Sequence, residues 1–475
     1  MKRFVILLLA VLVTFSAVLG TSLAAGSAQA LLTHEETVLL GDPAAAEGLK
    51  VSLRYTYRSY LEWAAQYRLG SPDTCQTDFR CYATERNYTQ SAADYRGVAM
   101  ELAGSIYSQD HLSDLYRREE AYGGSGSYTG LLGAYQKLYN DTPEGGLTNT
   151  YLRIGDYCDY YPLAGWMELP NGGHGWNIYS ASGYWANGAE SAAAFNGYFR
   201  IPVLEDDWIQ VVADKRGGNV VESVSVTEPR KGEDWYEPAS VGICHENTAY
   251  FTFNAQTHKG NIVDTSLIPG GYGLYSLAYD SSGDPDFSTL STRVPLDPAY
   301  APVDMTVDEA FGNLHYFSTR ADGMYLTVID LDTMEVLQSI RIHQAQADSW
   351  QYFKQPDNCI LVIEEEKRIA VWRKNARGLY EYCFTADIPE EENGFSLYDA
   401  RFAFDGERLA VVNRVGTNLE EYENIYTYIL CGYSLSVYTA EGCLYRGRYT
   451  SSLEPEAPDL QGERCWLQDI QAVWE

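Results

Sequence analysis

The sequence predicts an all-β chain, and three observations carry the prediction. From about residue 190 onward, apolar and polar residues alternate with the period of a strand. The alternating runs come in pairs joined by polar turns. The pairs themselves recur, four short runs to a unit, at intervals of roughly 45 to 65 residues.

Residues 325–342, YLTVIDLDTMEVLQSIRI, show the pattern: an aromatic opens an alternating run, a polar turn interrupts it, and alternation resumes. Residues 208–226 (WIQVVADKRGGNVVESVSV), 368–388 (RIAVWRKNARGLYEYCFTADI) and 434–451 (SLSVYTAEGCLYRGRYTS) have the same shape, and residues 272–296 repeat it with a longer loop. A second pair precedes most of these. AYFTFNAQTHKGNIVDTSL comes before the 272 unit, VDMTVDEAFGNLHYFST before the 325 unit, and YFKQPDNCILVIEEE before the 368 unit. ARFAFDGERLAVVNRV comes before the last unit, with Asp405-Gly406 as its turn. Trp208 and Trp372 are expected in the packing between sheets.

Four strands per recurring unit is the pattern of a β-propeller, here an irregular one of six or seven blades. A lone four-stranded sheet exposes two faces and two edges; stacking sheets around a ring buries the faces and protects the edges. A β-sandwich is the alternative, without a reason for the four-strand recurrence. The end of the chain, QDIQAVWE, is expected to pair with an N-terminal strand.

Residues 31–190 are less regular and read as early blades with short helical insertions, followed by the repeated blade region 191–475. In YTGLLGAYQKLYND, Leu131, Leu132, Tyr135, Leu138 and Tyr139 share one helical face, Thr129 can cap it and Pro143 follows. DHLSDLYRREEAY is a second helix candidate. GLKVSLRYTYRSYLEWAAQY begins as a strand and is expected to turn helical, and YLRIGDYCDYYPLAGWMEL returns to strand character.

Residues 1–30 have Lys2 and Arg3, an apolar run and then small residues, the make-up of a secretory signal peptide or an uncleaved N-terminal membrane anchor. Either places the rest of the chain outside the cytoplasm, secreted or anchored. The net charge of -31 repels phosphate backbones and argues against nucleic acid as a partner. The nine cysteines include no C-x-x-C pair, so neither a zinc site nor a thioredoxin-type site is indicated. Cys75 and Cys81, in CQTDFRC, could bridge a short loop in an oxidising compartment. Membrane contact is expected only through an uncleaved anchor.

The stretches LLGDPAAAEGLKVSL, YFRIPVLEDD and VDTSLIPGGYGLYSLAY resemble those of a group of uncharacterised exported bacterial proteins. The resemblance implies export and supplies no catalytic residues. The later units resemble repeat propellers in strand pattern, without a recurring Trp-Asp or Gly-His pair.

No H-E-x-x-H, nucleophile elbow, P-loop or calcium loop occurs, and the pattern calls for no cofactor and no metal. The acid runs Glu205–Asp207 and Glu364–Glu366 read as a solvated rim, because neighbours in sequence do not face each other across a substrate. The most site-like stretch is GGHGWNIYSASGYW, where His174, Trp176, Tyr184 and Trp185 combine exposed backbone, one imidazole and sugar-stacking rings. The expected function is an exported binding or sensor-like module for a protein or carbohydrate ligand, without catalysis. The alternative is an extracytoplasmic propeller enzyme, a glycoside hydrolase or lyase, with His174, His245, Asp264 or His315 converging on a central opening.

Overall fold

The computed structural model describes residues 34–57, 61–69, 76–81, 98–102, 105–106, 129–168, 174–178, 194–217, 223–344, 351–356, 358–364, 367–388, 397, 400–417, 429–451 and 465–475. Among them the strands form seven small sheets, antiparallel throughout, and the chain is all-β apart from a few short helices. It divides into two compact units, one of residues 91–347 and one of residues 1–90 with 348–475.

In the 91–347 unit two sheets follow the four-strand rule in chain order. One contains Ser240–His245, Thr248–Phe253, Gly273–Tyr279 and Pro285–Pro295; the other contains Ala301–Asp308, Asn313–Arg320, Gly323–Asp330 and Val336–His343. Their second and third strands are buried at most positions, while the fourth strands are buried at few. A strand buried on both faces reads as a continuous apolar run, which is why AYFTF and LHYF lose the clean alternation of their neighbours. The first strands of these two sheets lie side by side, and Val98–Leu102 lies against Ser240–His245, where the Met100 amide donates to Ser240 Oγ at 2.5 Å.

The expected first pair of the 272 unit is displaced: residues 240–253 form it, and NAQTHKGNIVDTSL is a long loop held by the bridge Gln256↔Ile262. The early part of this unit interleaves. Val98–Leu102, Leu163–Glu168 and His174–Ile178 make one sheet, and Ser105–Ile106, Ser223–Lys231, Trp208–Asp214 and Leu147–Arg153 make another. The helix Thr129–Asp141 forms as its periodicity requires, with Leu131, Tyr135 and Tyr139 buried. The core around it is aromatic: Phe199 meets Phe195, Tyr198 and Tyr275, each with ring centroids 4.9 Å apart.

In the other unit Gln351–Lys354, Cys359–Glu364, Arg368–Lys374 and Tyr380–Asp387 form a third four-stranded sheet in chain order. Both chain ends enter sheets built from distant sequence. Cys465–Trp474 pairs with Leu49–Tyr57, beside Leu61–Arg68 and Gln76–Cys81, as expected for QDIQAVWE. His34–Gly41 pairs with Gly442–Ser451 as the fifth strand of a sheet that continues through Ile429–Thr439, Leu409–Thr417 and Arg401–Phe404.

Two expectations are corrected here. Residues 61–68 are a strand and not a helix: EWAAQYR has helical propensity, but pairing on both sides and burial of Trp63 and Ala65 override it. Trp372 is only half-buried, edge-on to the exposed Tyr382 ring at 5.5 Å. A bulge between Val371 and Trp372 shifts the register at this strand end, and Ile369 and Val371 supply the core contacts instead.

Candidate functional site

Within the second unit, the ends of three sheets border an open-sided cavity of about 470 Å³ lined by Pro356, Asn358, the 402–405 segment and the 472–475 segment. Each wall is held by a hydrogen bond to its neighbour. Asn358 Nδ2 donates to the Phe404 carbonyl at 2.5 Å, and Trp474 Nε1 donates to the Ala403 carbonyl at 3.1 Å. The apolar lining includes Phe402 and Trp474, while Val473 is 59% exposed. Alternation along Cys465–Trp474 explains this: Ala472 and Trp474 pack back on the core and Val473 points away from it.

Among the described residues two carboxylates line the cavity and no Lys, Arg or His does. Asp405 closes the turn that its sequence with Gly406 signals. Its Oδ1 accepts from the amides of Glu407 at 2.9 Å and Arg408 at 2.6 Å, and its Oδ2 accepts from Arg408 Nε at 2.7 Å. Burial pushes the Asp405 carboxyl up, but the two amides and the Arg408 side chain outweigh it and hold the group below the usual carboxylate range. Glu475 pairs with Arg68 at 2.6 Å and Lys50 at 3.5 Å. Both acids are thus engaged by cations from behind the lining. Asp405 stays ionised near neutrality, which unsuits it to donate a proton to a leaving group.

None of the described sequence candidates lines this cavity. The backbone of His174 and Trp176 runs in the strand His174–Ile178, where His174 is opposite Glu168. Tyr184, Trp185 and Cys75 fall outside the described residues, and Cys81 ends the strand Gln76–Cys81. His245 Nδ1 lies 3.3 Å from Glu309 Oε1. Asp264 receives the Ser266 amide in an exposed turn, and His315 is fully buried inside its sheet. These three serve separate local structures and share no contact among those described.

The acid run at 205–207 is only in part a solvated rim. Glu205 and Asp206 are exposed, but Asp207 is fully buried, accepting from Tyr161 Oη at 2.6 Å and the Tyr236 amide at 3.1 Å. In the other run Glu364 pairs with Arg368 at 2.5 Å, and Glu365 and Glu366 fall outside the described residues. Among the described residues no group of three or more His, Cys, Asp or Glu side chains could hold a metal ion. No described helix is long and apolar enough to cross a membrane.

The cavity residues went unselected from the sequence because none carries a motif. Only the Asp405-Gly406 turn and the C-terminal strand were legible, as structure.

No protein-family model and no curated protein matches the chain. Similar solved structures include a Bacteroides uniformis protein described as a candidate 6-phosphogluconolactonase, with TM-score 0.28 and 9% identity over 81% of this chain and 97% of that one. A Bacteroides ovatus protein described as xyloglucan PUL GH43B has TM-score 0.20 and 13% identity over 50% of this chain and 51% of that one. At these scores neither carries an argument about fold or activity.

Proposed function

We propose that the chain is an exported, propeller-like recognition module that binds a neutral, hydroxyl-rich ligand, the end of a carbohydrate chain, in the cavity at residues 402–405 and 472–475. The single observation that carries this reading is the state of the cavity's acids. Asp405 and Glu475 are already neutralised by Arg408 and by Arg68 and Lys50, so a charged ligand finds no free counter-ion in the lining. Aromatic side chains and backbone carbonyls beside them suit a sugar. The lowered Asp405 carboxyl disfavours the hydrolase alternative with Asp405 as its acid, which needs that carboxyl raised.

The blade reading is supported by the sheets in chain order, by their central strands covered on both faces, and by the first strands set side by side within the 91–347 unit. A sandwich leaves each sheet one face to solvent. Export is supported by the N-terminal residues in the sequence.

The test uses the purified chain and a panel of neutral and acidic oligosaccharides, followed by calorimetry and by product analysis. A neutral oligosaccharide should bind unchanged. Val473→Arg, at an exposed wall position, should weaken that binding by about tenfold or more while leaving the melting curve in place. Release of a cleaved sugar, or full affinity in Val473→Arg, would overturn the reading.

A further inference from the structure

We propose that residues 42–47 are a detachable brace of the cavity, and that Arg408 is the positioning residue through which brace and cavity wall stabilise each other. The proposal rests on the reading of this cavity as the ligand site.

One guanidinium touches all the parts. Arg408 Nη1 donates to the carbonyls of Ala45 at 3.0 Å and Glu47 at 3.2 Å, both in the brace. Its Nε donates to Asp405 on the cavity lining. Its Cζ sits 4.0 Å from the centre of the Trp474 ring, on a second lining residue. The side chain therefore cannot move to follow the brace without leaving Trp474 and Asp405. A lysine offers one ammonium where the planar fork serves carbonyls, a carboxylate and a ring face together.

The brace follows an edge strand that is held at its start by His34 on Tyr55 and Tyr67 and by Glu36 on Tyr445. The preceding strand, His34–Gly41, is exposed at seven of its eight positions and pairs along one edge only. An edge strand with so little burial belongs to the low-stability end of a fold. If it leaves, Ala45 and Glu47 leave Arg408, and the arginine loses two of the acceptors that fix it on Trp474. By linkage, whatever stabilises the cavity wall must equally stabilise the docked brace.

Gly41 allows the brace to be displaced without touching the cavity. Its φ is +74°, and an added Cβ would lie 1.9 Å from the Leu444 carbonyl oxygen, so Gly41→Ala forces the strand away from its partner. The test combines amide hydrogen exchange with acrylamide quenching of Trp474, read as the difference between each protein and its Trp474→Phe counterpart. Acrylamide is the probe, so the result does not depend on whether a sugar binds.

Gly41→Ala should raise exchange across residues 34–47 by about fivefold or more and raise Trp474 quenching with it. Arg408→Lys should raise exchange at residues 45–49 and quenching together, without rescue by the retained charge. In the unmodified chain, sub-denaturing urea should raise both signals at the same concentration, which keeps the proposal testable if Gly41→Ala fails to fold. A freed strand with Trp474 quenching unchanged, or Arg408→Lys indistinguishable from the parent, would overturn it. Should no sugar bind while these signals move together, the proposed ligand falls and the coupling stands.

Discussion

His34 should make the docking of the strand His34–Gly41 acid-sensitive by itself. It anchors the first described strand against strands of another sheet: Nε2 lies 2.7 Å from Tyr55 Oη, and Nδ1 is hydrogen-bonded to Tyr67 Oη. The ring stands edge-on to Tyr67 at 4.7 Å and tilted against Tyr433 at 5.9 Å. Beyond Tyr433 come Tyr449, stacked on it, and Tyr445, whose hydroxyl donates to Glu36 at 2.6 Å. Burial lowers the His34 pKa from 6.5 to about 4.

A depressed histidine pKa means that the unfolded chain takes up the proton first. The stability from neutral His34 is therefore complete above pH 6.5 and is lost as pH falls towards 4. Between pH 7 and pH 5 the loss is roughly 2 kcal/mol, worked from the two pKa values. The assay is the opening free energy of residues 34–41, from amide hydrogen exchange at both pH values, for the parent and for His34→Gln, which retains a hydrogen-bonding side chain without the titration. The parent should lose roughly 2 kcal/mol more than the variant. Carboxylates titrate in both proteins and cancel in the comparison. Parallel losses in the two proteins would show that His34 does not carry the effect.

Phe199→Ala removes a ring packed on five others and should cost about 3–5 kcal/mol in a denaturant melt. Tyr161→Phe takes a donor from the buried Asp207 carboxylate and should cost about 1–3 kcal/mol in the same melt, despite conserving the ring. Trp372→Ala should cost only about 1–2 kcal/mol, since it loses one edge-on pair and partial burial. N-terminal sequencing of exported protein should find a start after the apolar segment, near residue 31; a start at Met1 would leave the anchor as the correct reading.

The sequence disclosed most where the partner was near. In residues 325–342 both strands, the turn between them and the exposed outer strand can be read from alternation, because their pairing closes over a handful of residues. The same holds for residues 368–388. Residues 61–68 misled because local composition competes with pairing: Ala64 and Ala65 favour a helix, and only the strands on either side, Leu49–Tyr57 and Gln76–Cys81, decide otherwise. Asp207 misled in another way. Its neighbours Glu205 and Asp206 are exposed, and nothing in an acidic triplet says that its third member meets Tyr161, 46 residues back.

The cavity was illegible for the most basic of these reasons. Its walls come from Pro356, Asn358, residues 402–405 and residues 472–475, none of which carries a motif, and its backing from Ala45, Glu47, Lys50 and Arg68, far away in sequence. Period two tells which face of a strand is inward; it does not tell which strand lies beside it. The pairing of Cys465–Trp474 with Leu49–Tyr57 brings Glu475 to Arg68 and Trp474 to Arg408. Once that pairing is in place the chemistry follows from local rules: the Asp405 turn presents its carboxylate, Arg408 neutralises it, and Arg68 does the same for Glu475. Asp405, held below the usual carboxylate range, is unsuited to give a proton to a leaving group near neutrality. The pairing of these acids thus depends on strands from opposite ends of the sequence, where no linear motif can record it.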